Sequence, residues 1–225
     1  MSLFGNRQNR EGAGLPLSEG GFRRYAAVLS SNFWKLVGLN LIFILFSLPV
    51  ITIPAALCGV NRVCMLLIRN GYCFVWGDFW EEFRRSFRRS LLPGLLFASL
   101  LFLGYYAMSL GLTNAGLPVW SMLFWAIGFA AAAAGICWGG YFFALVSLLD
   151  QKNGLMLRNA WLLCMLSPLK SFAVLALLLA MGFVLAILMP ISIVLLLTCA
   201  VVLVQYTLCF FVHGLADRYI LTKAE

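Results

Sequence analysis

The chain has 225 residues, of which 63% are hydrophobic and 11% charged, with mean hydropathy +0.97 and a formal net charge of +8. A soluble domain is nearer half apolar and a quarter charged, so this composition excludes a water-soluble globule and leaves an integral membrane protein. The length accommodates one all-α bundle of roughly five or six spans of about 20 residues each, with little chain left for a soluble catalytic module.

Residues 1–32 carry Gly5, Gly12, Gly14, Gly20 and Gly21 beside Arg7, Arg10, Arg23 and Arg24, and no early apolar stretch. They read as a flexible cytoplasmic tail rather than a cleavable signal peptide. A single transmembrane domain is expected over 33–213, followed by a short cytoplasmic tail over 214–225.

The clear apolar runs are Leu36 to Leu57, Leu91 to Leu112, Val119 to Leu149, Phe172 to Met189 and Ile191 to Val212, which gives five crossings. Five crossings place the tail cations opposite Arg69, Arg84, Arg85, Arg88 and Arg89, against the positive-inside rule. A six-crossing alternative splits the first run between Pro49 and Pro54, where two prolines remove backbone donors. Phe33 to Leu48 then goes out and Pro54 to Arg69 returns. This arrangement sets 15 of the 16 Lys and Arg residues on the cytoplasmic face, and the turns around Pro49, Gly111 to Pro118 and Pro190 carry no charge. The exception is Arg62, which with Asn61 forms a candidate intramembrane polar site, because a charge at the bilayer centre costs at least about 2.5 kcal/mol.

Between Gly77 and Leu91, Asp78 and Glu81 have the spacing of a capping box at a helix start. Phe79, Trp80, Phe83 and Phe87 then fall near one helical face, and Glu81 to Arg85 is a favourable i,i+4 pair. The segment reads as an interfacial amphipathic helix whose Trp80 lies in the headgroup region while Arg84, Arg85, Arg88 and Arg89 reach anionic lipid phosphates or a partner protein. A solvated connector that only fixes topology fits the same residues.

Val119 to Leu149 is uncharged over 31 residues, roughly 46 Å if helical, longer than a hydrocarbon core of about 30 Å. Within it Ala131, Gly135 and Gly139 place small residues four apart, with Gly128 and Ala132 on a neighbouring stripe, a pattern that lets helices approach closely. Packing inside the bundle and a homo-oligomer seam both follow from it. Asn153-Gly154 then signals a turn, and Leu155 to Leu166, with Arg158 and Trp161, reads as a short helix against the inner face.

Chemistry has little to build on. The seven cysteines have neither CxxC nor Cys/His spacing, and the one histidine, His213, stands at the end of the last span without a metal-ligand set. No nucleophile elbow, zinc-protease motif or phosphate-binding loop occurs, and no groove-reading motif points to nucleic acid. No enzyme activity and no cofactor are expected.

The strings Asn40-Leu-Ile-Phe-Ile-Leu-Phe-Ser-Leu-Pro49-Val-Ile-Thr52, Arg69-Asn-Gly71 and Asp78-Phe-Trp-Glu-Glu-Phe83-Arg-Arg-Ser-Phe87 resemble the YesL-like family of small multi-span membrane proteins of Gram-positive bacteria, a domain of unknown function. The resemblance implies an accessory or regulator of carbohydrate uptake, associated with ABC-transporter subunits, and carries no established site residues. The alternative is a permease or channel component for a small solute such as a sugar, although no ATPase-docking loop is recognisable between Leu149 and Phe172.

Overall fold

The computed structural model describes residues 22–113, 118–149, 152–187 and 200–216. Within them the chain forms α1 (Phe22–Ser31), α2 (Phe33–Ser47), α3 (Ile53–Asn70), α4 (Val75–Thr113), α5 (Pro118–Leu148), α6 (Asn153–Leu166), α7 (Pro168–Ile187) and α8 (Val201–Ala216), and no strand. Three stretches, Val50–Asn70, Val75–Thr113 and Val119–Leu148, are long and apolar enough to cross a bilayer, or up to five if each of two bent helix pairs counts as one. The described residues thus give three to five candidate crossings. Residues 188–199, with Pro190 and the first half of the last expected span, lie outside them, as do Arg7, Arg10, Asp150, Arg218 and Lys223.

Residues 22–31 depart from the expected flexible tail. They form a helix bent 76° from α2, because Tyr25 and Val28 find partners in the bundle. The Tyr25 hydroxyl is 2.9 Å from Thr207 Oγ1, its ring packs on Tyr206 and Phe210, and Val28 is buried. At the other end, α8 runs to Ala216.

The first hairpin breaks where the two prolines predict. A 3-10 turn spans Val50–Thr52, and the Thr52 hydroxyl donates to the carbonyls of Phe46 and Pro49, closing the loop. Pro54 sits in the first turn of α3, where its missing N–H leaves no helical bond unmade. At the other end Gly71 adopts φ 75°, and its N–H bonds to the Leu67 carbonyl at 2.9 Å. Glycine takes this left-handed cap without the steric penalty of a side chain.

α3 is the core helix. Ala55, Ala56, Cys58, Val60, Val63, Cys64 and Leu67 are all fully buried, enclosed by α2, α4, α5 and α8. Of its apolar window 61% is buried, against 17% for α4 and 11% for α5. The hydrophobicity of α3 therefore serves protein contacts, whereas that of α4 and α5 faces outward.

α4 differs most from expectation. The interfacial helix and the following span are one uninterrupted 39-residue helix, roughly 58 Å long. Its first half, Val75 to Ser90, packs antiparallel on α3: Gly59 meets the Phe79 ring, and Gly94 meets Pro54. Its second half continues past the contact of Pro54 with Gly94 and packs on α5, where Gly104 meets Gly128 and Gly111 meets Trp125. The helix also begins at Val75, before Asp78. The Asp78 carboxylate accepts from the Phe74 N–H at 2.8 Å from within the first turn, so it is not the cap residue.

The aromatic face of this segment is partly covered by protein. Phe46 of α2 lies 5.1–6.1 Å from Trp76, Phe79, Trp80 and Phe83. Rings of this size gain more from packing on one another than from staying at a wet interface.

Candidate functional site

The described polar groups converge on a layer around the middle of α3. On the α4 side, Glu82 is 2% exposed. Its carboxylate accepts from the Ser86 hydroxyl at 2.6 Å and stands 3.8 Å from the Arg85 guanidinium. Cys58 of α3 lies beside this pair. One turn on, Arg62 Nη1 donates to the carbonyl of Ser147 at 3.1 Å.

That contact explains an arginine halfway along an apolar helix. Ser147 lies in the last turn of α5, where its carbonyl has no helical donor among the described residues and the helix dipole presents partial negative charge. A guanidinium meets both needs. Asn61, on an adjacent face, is fully buried. Its Oδ1 lies 3.4 Å from Cys209 Sγ of α8, and its Nδ2 has no hydrogen-bond partner among the described residues. Asn61 and Arg62 thus serve different neighbours, α8 and α5, and do not form one site.

Arg89 performs a second piece of backbone repair. Pro93 has no N–H, so the carbonyl four residues earlier, that of Arg89, loses its helical donor. Asn153 Nδ2 replaces it at 2.9 Å, and Arg89 Nε returns a bond to Asn153 Oδ1 at 2.8 Å. This reciprocal pair fixes the start of α6 to α4 at the proline. Asn153→Ala is expected to cost about 1–3 kcal/mol, the penalty of a buried acceptor left unmade. Thermal unfolding in mild detergent measures it, and the double variant Asn153→Ala with Pro93→Ala should recover part of the loss.

The four arginines therefore divide. Arg89 is occupied inside the fold. Arg84, Arg85 and Arg88 are exposed, with Arg84 stacked 5.0 Å above the Trp80 ring, a cation–π contact that holds it near the surface. Trp80 is half-buried and reaches neither solvent nor lipid with its whole ring.

The small-residue seam of α5 faces α4. Ideal Cβ atoms built at Gly104 and Gly128 would lie 2.9 and 2.7 Å from each other's carbonyl oxygens, so the two backbones touch. Gly135 packs on Leu100 and Leu101, and Gly139 on Phe97. The stripe in contact is Gly128, Ala132, Gly135 and Gly139, and Ala131 is half-buried on its flank. A spacing that alternates four and three keeps a stripe on one face of a 3.6-residue helix, whereas steps of four drift around it.

No group of three His, Cys, Asp or Glu side chains that could hold a metal occurs among the described residues. Burial pushes the Cys73 thiol, in the turn before α4, up to about 12. Since the thiolate is the nucleophile, Cys73 is expected to resist maleimide near neutral pH and to react faster as pH rises toward that value. A rapid stoichiometric reaction of the wild-type protein at neutral pH, mapped to Cys73, would contradict this.

Sequence reasoning missed three members of this layer: Glu82, Ser86 and Asn153. Glu82 stands among charged residues in sequence, yet Phe79, Glu82, Phe83, Ser86 and Ser90 follow the 3.6-residue period of the buried stripe. That period was the available signal.

Residues 36–108 match a family model described as a protein of unknown function, DUF624. The matched segment is about a third of the chain and runs from α2 through most of α4, so it contains Asn61, Arg62, Glu82 and Arg89. No curated protein and no solved structure matches the chain.

Proposed function

We propose that this is a non-enzymatic, multi-pass protein of the bacterial cell membrane that assists or regulates carbohydrate uptake as a partner of ABC-transporter subunits, as its YesL-like resemblance implies. The observation that carries this reading is the basic end of α4. Arg84, Arg85 and Arg88 are exposed on a helix continuous with an apolar span and braced at this basic end by α3. A rigid basic face of this kind attracts anionic headgroups and offers a partner a fixed surface. Exposed Leu155, Arg158 and Trp161 on α6 extend it.

In this reading both termini are cytoplasmic and the chain crosses an even number of times. A second copy of the chain would meet the outward faces of α4 and α5, because their small-residue seam is filled within the protein.

The test is affinity purification from membranes together with sugar uptake in a deletion strain. Arg84→Glu with Arg88→Glu is expected to abolish co-purification with a carbohydrate permease while the protein stays in the membrane. Unchanged uptake after deletion overturns the proposal, and sugar transport by the purified protein alone in vesicles replaces it with a permease or channel.

A further inference from the structure

We infer that the α2–α3 hairpin does not cross the bilayer but rests in the interfacial zone of one leaflet, seated there by the exposed apolar surface of Leu45, Leu48, Val50 and Ile51. The inference rests on the chain residing in a membrane and is independent of any role in sugar uptake.

The first argument is depth. α3 lies against the first half of α4, where Asp78, Glu81, Glu82, Arg84, Arg85, Arg88 and Arg89 fall within twelve residues. Exposed Arg84, Arg85 and Arg88 cannot be held in hydrocarbon at acceptable cost, so this stretch of α4 lies outside the core. α3 runs beside it and must lie outside too. The α2–α3 turn then comes level with Gly94, where Pro54 touches α4 and the apolar half of that helix begins.

The second argument is surface. Leu48, Val50 and Ile51 are 73%, 77% and 66% exposed, and Leu92 on the adjoining turn of α4 is 77% exposed. These side chains form one apolar rim at the level where α4 enters lipid. The rim is continuous with the lipid-facing surface of α4 and α5, so the occupant it fits is the acyl boundary of the same leaflet. α2 has 15 residues, roughly 22 Å of helix, short of the about 30 Å of a hydrocarbon core. The apolar surface of α3, by contrast, is already covered by protein.

The third argument is charge. Residues 90–149 and 171–216 contain no Asp, Glu, Lys or Arg. If α4 and α5 go out and return over the first of these stretches, Lys152, Arg158 and Lys170 lie on the same side as the charges of residues 62–89. The six-crossing arrangement left Arg62 within the bilayer. With the hairpin outside, Arg62 caps α5 at a depth where its charge carries no membrane penalty.

The experiment places single cysteines at Val50, at Val119 in the first turn of α5 and at Lys152 before α6, all exposed positions. Right-side-out and inverted vesicles are treated with a membrane-impermeant maleimide, with the wild-type protein as background. Val119→Cys is expected to react only in right-side-out vesicles and Lys152→Cys only in inverted ones. Val50→Cys is expected to stay at background in right-side-out vesicles, and labelling there comparable to Val119→Cys overturns the inference. Depth is then read from a bimane attached to Val50→Cys in reconstituted protein. Stronger quenching by lipids carrying a nitroxide near the headgroup supports the interfacial seat, and stronger quenching by chain-end nitroxides overturns it.

Discussion

Gly104→Leu is expected to separate α4 from α5 and to destabilise the protein by about 3 kcal/mol, the upper end of ordinary overpacking. The reason is what the new side chain meets. An ideal Cβ at Gly104 lies 2.9 Å from the Gly128 carbonyl oxygen, 3.0 Å from the Ala132 nitrogen and 3.2 Å from its Cβ. Two of these are backbone atoms, which cannot rotate away as a flexible side chain would. In lipid the loss is larger in consequence than in water, because helix association there depends on close van der Waals packing and not on expulsion of water. Unfolding by titrating SDS into mild detergent measures the change. Gly38→Leu is the control, since a Cβ at Gly38 meets nothing within 4 Å. Equal loss in the two variants would show that the α4–α5 seam contributes no more than an open helix face.

Arg62→Ala is expected to cost about 2–3 kcal/mol, the range for a hydrogen bond made by a charged group to a partner that is then left unmade. The Ser147 carbonyl stands at the end of α5 without a helical donor among the described residues, and removal of the guanidinium leaves this dipole end facing a protein interior. Arg62→Lys keeps the charge but replaces a planar multi-donor group with a single ammonium, so it should restore part of the loss. Arg62→Met matches the length of the stem without the charge and should not. The same SDS titration reads all three. A loss below about 0.5 kcal/mol for Arg62→Ala, typical of a surface substitution, would mean that the α5 terminus finds another donor.

Both predictions depend on contacts between segments far apart in sequence, and this explains what could and could not be foreseen. The stripe on α5 was visible as small residues, but sequence spacing alone did not choose between Ala131 and Gly128. The choice is made by the opposing glycines of α4. Arg62 was recognised as anomalous for a span. Its explanation lay 85 residues away, at the end of a helix whose terminus could be located from sequence but whose position relative to α3 could not.

The arginines of α4 show the same division. Their clustering and their i,i+4 pairing are local properties of a helix and were legible. That Arg89 answers Asn153 while Arg84 and Arg88 remain outside depends on where α6 returns to the helix. That Gly77 to Leu91, read as an interfacial helix, is one end of a 39-residue helix has a comparable origin. An aromatic face on a basic amphipathic helix is compatible with lipid or with protein, and only the placement of Phe46 and Gly59 against it selects protein.

The sequence by itself determined that the chain is helical and belongs in a membrane, because apolar content and backbone hydrogen bonding leave no other solution in lipid. It also determined the break between Pro49 and Pro54 and the cap at Gly71, which are matters of backbone chemistry within a few residues. Tertiary structure decided which apolar helix faces protein and which faces outward. Hydropathy measures only how poorly a side chain is solvated by water, and a buried core and a bilayer satisfy that measure equally. α3 and α4 share a mean window hydropathy of 1.8 yet differ more than threefold in the fraction of that window the fold covers.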